Sequence, residues 1–245
     1  MANLLYTEFL KLKRSKMFIL SVIGSAVAPL MVAAAMYIQM KTELPTIIAE
    51  FDVLFLNTSI YAILLISPPL NGVITAYLYS REYTEDTLKN LLTIPVSRVG
   101  LLLSKWVLLF FWIMLLTLET WVLALLFGSL GQFTGLSEAM VSQTFSQFAV
   151  AGMLSFLLTT PIVLITLVFK NFVPSIIVTI AITLVNVMLA TSEHRGLFPW
   201  VAALDIANGT LDPKYPPEVS YIGIAVTCLL GWIASIAYFN KADVH

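Results

Sequence analysis

The stretch WVLLFFWIMLLTLETWVLALLFG, residues 106–128, carries one ionisable side chain, Glu119. A helix of that length rises about 35 Å at 1.5 Å per residue, enough to cross a hydrocarbon core of roughly 30 Å. Its apolar character is unbroken, whereas a barrel strand alternates over about ten residues. Five more runs free of Asp, Glu, Lys and Arg flank it: 17–40, 53–80, 139–169, 171–192 and 219–240. In the run 139–169, Ser142, Gln143, Ser146 and Gln147 read as a loop or an interface, so that span is expected near 148–169. The others are expected near 17–40, 53–80, 104–128, 172–192 and 219–240. The fold class is an all-α integral membrane protein with six transmembrane helices.

Composition agrees with this reading. Of 245 residues 59% are apolar and 11% charged, with mean hydropathy +0.93; soluble domains are roughly 45–50% apolar and about 25% charged. Too little polar surface remains to cover a soluble globule, and a disordered tail or collagen-like fibre is excluded too. The net charge of −1 offers no general attraction for nucleic acid. Cys228 is the single cysteine, so there is no disulfide framework and no cysteine cluster for a metal. The first run exceeds the 7–15 apolar residues of a signal peptide and is read as a retained helix.

Basic side chains of short loops stay on the cytoplasmic side. With the N-terminus inside, Lys11, Lys13, Arg14, Lys16, Arg81, Lys89, Arg98, Lys105, Lys170 and Lys241 are cytoplasmic. Lys41, Arg195 and Lys214 are outside, with Glu43, Glu50, Asp52, Glu138, Glu193, Asp205, Asp212 and Glu218. Both termini are therefore expected inside. Residues 1–16 suit a helix lying in the inner interface. Leu5, Tyr6, Phe9, Leu10 and Leu12 share one arc, and Thr7, Glu8, Lys11 and Arg14 the other, whose basic side would face anionic lipid headgroups.

Between the second and third spans, residues 81–98 read REYTEDTLKNLLTIPVSR. Thr84 suits an N-cap, and Glu85 and Asp86 in the first turn favour the positive end of the helix dipole. Leu88, Leu91 and Leu92 form an i, i+3, i+4 stripe, and Pro95 stops the helix. Such a helix suits a groove on a soluble partner; a tight charged turn between two spans is the alternative.

The run from Glu82 to Arg98, an acidic residue followed by Thr-Leu-x-x-Leu-Leu-x-x-Pro-x-Ser-Arg, resembles the signature of type-2 ATP-binding-cassette (ABC) permeases. Asp86 stands where the usual glycine precedes Thr-Leu. The six spans, interfacial helix and internal termini match that family over the whole chain, as one permease domain, 1–245. Size and layout are most similar to permeases of bacitracin and lantibiotic resistance or immunity systems in the bacterial plasma membrane. The resemblance implies an exporter of an antimicrobial peptide or other amphipathic, lipid-associated compound. It also implies a second permease, identical or related, and cytoplasmic ATPase subunits contacting Glu82, Glu85, Asp86, Leu88, Lys89, Leu91 and Leu92. ATP and magnesium would sit on those subunits, because none of the nine lysines here follows a glycine as a P-loop requires.

Other residues are candidates for mechanism. Glu119 either lines the path or dimer interface or is a protonated packing residue, since a charge at a span centre costs about 2.5–3.5 kcal/mol. Pro68 and Pro69 interrupt the second span and are candidates for a hinge. Pro161 does the same in the fourth span and Pro29 in the first, whereas Pro174 starts the fifth. In the outer loop 193–218, Phe198 and Trp200 belong to an apolar piece that is either a re-entrant or interfacial helix or a pair of aromatic anchors. The short Lys170-Asn171 turn could touch the cytoplasmic partner. An intramembrane hydrolase lacks a base, because His194 and His245 lie outside the spans. A non-transporting scaffold or sensor subunit shares every span and stays the alternative function.

Overall fold

In the computed structural model the described residues are 2–13, 15–42, 49–84 and 97–241. They form ten α-helices: α1 Ala2–Lys13, α2 Lys16–Thr42, α3 Phe51–Tyr61, α4 Ser67–Thr84, α5 Arg98–Leu130, α6 Glu138–Leu157, α7 Thr160–Phe169, α8 Phe172–Leu189, α9 Pro199–Asn208 and α10 Pro217–Lys241. A π-helical turn, Ala62–Ile66, joins α3 to α4, and Arg195–Leu197 is a 3-10 turn. Among the described residues six helices are long and apolar enough to cross a membrane. These are Lys16–Thr42, Phe51–Tyr83, Arg98–Leu130, Glu138–Phe169, Phe172–Leu189 and Pro217–Lys241, here spans one to six.

Three boundaries differ from the sequence expectation. Helix α4 is still helical at Thr84, past the expected end of span two at residue 80, and the helix that Thr84 was expected to cap lies outside the described residues. Span three starts at Arg98, where Ser97 caps it by accepting from the Gly100 N–H at 3.1 Å. Span four starts at Glu138, with Ser137 accepting from Met140. Ser142, Gln143, Ser146 and Gln147 are therefore helical; a good cap outweighs four polar side chains, which mostly point away from the protein.

The intra-span prolines follow one physical rule. Proline has no N–H, so the carbonyl four residues earlier loses its helical donor, and a bilayer core supplies no water to replace it. Pro29 frees Ser25 O, which accepts from Thr120 Oγ1 of span three at 3.4 Å. Pro161 frees Leu157 O, which accepts from Thr160 Oγ1 at 3.1 Å. Pro68 frees Leu64 O, which accepts from Asn186 Nδ2 of span five at 3.0 Å. Helix α2 continues past Pro29, and span four breaks at Thr159. Span two changes register through its π-turn. Pro174 lies in the first turn of α8, as expected.

One end of the bundle gathers both terminal regions, because Arg98 Nη1 donates to Phe239 O and Asn240 O at 3.2 and 3.3 Å. At the far end Phe51 N donates to Thr134 O and Thr134 N to Ala49 O, tying the start of span two to the turn after span three. Phe51, Phe55, Phe133 and Phe148 pack beneath that bridge.

Span six lies close against the break in span four. A Cβ on Gly231 would come within 2.7 Å of the Thr160 and Pro161 backbone, which has no rotamer to escape into. Gly231→Ala is expected to lower thermal stability by about 1–3 kcal/mol. Gly223→Ala on the same helix, with nothing within 4 Å, should be close to neutral. Equal melting temperatures for the two variants would contradict this packing.

Candidate functional site

At the end holding both terminal regions, four charged side chains meet. The Lys105 ammonium donates to Leu78 O at 2.9 Å and contacts Glu82 Oε1 at 2.9 Å and Glu8 Oε2 at 3.3 Å. Lys11 contacts Glu8 Oε1 at 2.7 Å and Glu82 Oε1 at 3.3 Å. Glu8, Glu82 and Lys105 are each 4% exposed, and Lys11 is half-buried. Two carboxylates and two ammoniums balance, which is how charge survives burial. The network fastens α1 to the end of α4 and the start of α5.

Two expectations are corrected here. Glu82, assigned to the ATPase contact, points inward and is engaged by both lysines. Helix α1 does not divide its faces as expected: Glu8 and Lys11 of the polar arc and Leu12 of the apolar arc all meet the bundle, while Thr7 is exposed and Tyr6 and Phe9 are 64% and 55% exposed. Headgroup attraction gives way because two carboxylates offer the lysines closer, better-buried partners. Glu85, Asp86, Leu88, Lys89, Leu91 and Leu92 lie outside the described residues.

The network predicts a pH dependence. Burial pushes the Glu8 carboxyl up, but Lys105 and Lys11 together outweigh it and hold it below its usual 4.5. Burial pulls Lys11 down, yet Glu8 and Glu82 hold it above 10.5. A depressed carboxyl stabilises above its unfolded value and loses that contribution as pH falls through the folded one; a raised lysine behaves oppositely at the alkaline limit. The latch is thus complete between about pH 4.5 and 10.5. Glu8→Gln should lower the melting temperature at pH 7 and flatten its fall below pH 4.5. An unchanged acid limb would remove Glu8 from this role.

At mid-span, Ser25 Oγ of span one donates to Glu119 Oε2 of span three at 2.7 Å. Ser25 also lines a cavity of about 40 Å³ with Ser67, Asn71, Thr117, Thr120 and Ser155. That volume exceeds the roughly 10–15 Å³ one water needs, and the hydroxyls offer partners. Glu119 is half-buried beside this polar patch, and Pro68 and Pro69 adjoin it through Ser67. Sequence reading singled out Glu119 as the ionisable group well inside a span; Lys105, in the first turns of α5, is a buried one nearer the span's end.

Between spans five and six, α9 buries Val201, Ala202, Ala203, Leu204 and Asp205. Arg195 makes a two-pronged ion pair with Asp205, which also accepts from Thr210. Val201 and Leu204 pack against Ile63 and Leu64 of the π-turn. Phe198 and Trp200 are half-buried with ring centroids 5.5 Å apart, at the start of this packed helix. Among the described residues no cluster of His, Cys, Asp and Glu could hold a metal ion.

A family model described as ABC-2 family transporter protein matches residues 4–186, from α1 through nearly all of span five. The chain belongs to the ABC-2 transporter family. It is similar to the bacitracin transport permease protein BCRB of Bacillus licheniformis, with 54% identity over 205 residues, 84% of this chain and 99% of that protein. This ABC-2 permease is a multi-pass protein of the bacterial cell membrane, a non-enzymatic exporter subunit that works with an ABC ATPase subunit. The match covers the ion network, the prolines and Glu119, and also residues 85–96. The network was missed in the sequence because Lys105 was read as a loop residue; a cation abutting an apolar run was the available signal.

Proposed function

We propose that this permease moves a bacitracin-like antimicrobial peptide out of, or away from, the membrane, driven by ATP and magnesium held on cytoplasmic ATPase subunits. The observation that carries this is the 54% identity to a bacitracin transport permease along 99% of its length. A second permease, identical or related, completes the transporter, and membrane lipid covers apolar side chains such as Ile19, Ile23, Ile177 and Ile233. Both termini are cytoplasmic in this reading, which brings the ion network beside segment 85–96 and the ATPase. The outer helix caps the opposite exit, and Glu119 lines the path or the dimer interface.

The test is reconstitution with the ATPase subunit and measurement of hydrolysis with and without bacitracin. Stimulation in the complex, and bacitracin resistance in cells, are expected. Glu119→Gln should lower both while leaving protein level and ATPase binding intact. A complex that assembles yet ignores bacitracin, and confers no resistance, would favour a scaffold or sensor subunit.

A further inference from the structure

We propose that Asn186 is a positioning residue that locks the π-turn of span two and so makes the two halves of that span move as one rod. Leu64 O is doubly orphaned: in α-helical register its donor would be residue 68, in π register residue 69, and both are proline. The neighbouring donor, the Ser67 N–H, is spent on Ala62 O. Asn186, with 0% exposure, reaches from span five and donates Nδ2 to Leu64 O at 3.0 Å. Its Oδ1 finds no partner among the described residues, so the Leu64 contact anchors the amide.

Span five is well placed to act as the strut. A Cβ on Gly72 would lie 2.5 Å from Thr179, so α4 and α8 touch directly about two turns from the clamp. Any change of register in the π-turn must leave the Leu64 carbonyl unpaired in an environment without water, or carry Asn186 with it. The turn is thus held by one side chain from a distant part of the sequence.

The position gives the clamp its consequence. On one side, Phe51–Tyr61 is tied to the far end through Phe51 and Thr134. On the other, Ser67–Thr84 ends at Glu82 in the ion network and leads directly into residues 85–96. Along span two itself, movement entering at that segment reaches the far half through Ala62–Ile66. This coupling role rests on the transport reading above; the clamp itself does not.

The experiment compares Asn186→Leu in the native background and in Pro68→Ala/Pro69→Ala, where restored N–H groups can serve Leu64 O. In the native background the melting temperature of the purified permease–ATPase complex should fall by about 5 °C, and bacitracin-stimulated hydrolysis should drop to the basal rate, itself unchanged. In the alanine background the same substitution should shift the melting temperature by less than about 1 °C. If the leucine variant fails to accumulate alone, the alanine pair should restore it. An equal shift in both backgrounds, or no restoration, would overturn the clamp. Normal stimulation in Asn186→Leu, with the non-additive melting shift retained, would overturn the coupling role. A native complex that bacitracin does not stimulate would instead sink the transport reading and leave the melting comparison decisive.

Discussion

Lys105→Met is expected to lower the melting temperature of the permease by about 10 °C or more. The ammonium holds Leu78 O, Glu82 and Glu8, and both carboxylates are 4% exposed. Without it only Lys11, a third of whose side chain is exposed, stands against them among the described residues. Two buried like charges then face each other, and breaking a buried ion pair from one side costs about 3–5 kcal/mol. In a chain of this size that corresponds to about 2–4 °C per kcal/mol. Removing the charge from all three partners, as Glu8→Gln/Glu82→Gln/Lys105→Met, should recover most of the loss, since the orphaned charge causes it. Thermal unfolding of the purified variants decides the matter. A shift of only one or two degrees for Lys105→Met would show that the network contributes little.

Leu88→Asp and Leu91→Asp are each expected to detach the ATPase subunit and abolish bacitracin-stimulated hydrolysis. In sequence the two leucines share one stripe with Leu92, and a desolvated apolar stripe dominates a helix-in-groove contact. An aspartate there would be buried without a partner. Glu85 and Asp86 set orientation and encounter rate more than affinity; Glu82, committed inside the bundle, drops out of the contact. Thr93→Asp, off the stripe, should be much milder. All six spans should remain inserted, because in the sequence both leucines fall between the second and third apolar runs. Native recovery of the ATPase by both leucine variants in a pull-down would leave segment 85–96 a connecting turn.

The six spans were legible in the sequence because transfer into a bilayer adds up over a contiguous window. About 20 apolar residues suffice whatever they later touch. The prolines inside spans one, two and four were legible too, since a missing N–H is a local property. Helix ends were less so: the Ser97 and Ser137 caps start spans three and four earlier than apolarity alone suggests.

What the freed groups would bind was a tertiary decision. Thr120 reaches Ser25 across 95 positions of sequence, and Asn186 reaches Leu64 across 122. The charges behave alike. Glu8 and Lys105 stand 97 apart, and each read by itself suits a solvated loop or an interface. A charge or an amide is tolerated at such a place only when another helix delivers its counterpart within about 3 Å. The sequence by itself therefore determined the membrane class, the number of spans and where proline breaks the backbone pattern. Only the packing of α1, α4, α5 and α8 decided that Glu82 turns inward, that Glu8 and Lys11 of α1 face the protein together with Leu12, and that Asn186 closes the gap left by Pro68. Those pairings depend on distances between helices, which no local run of residues encodes.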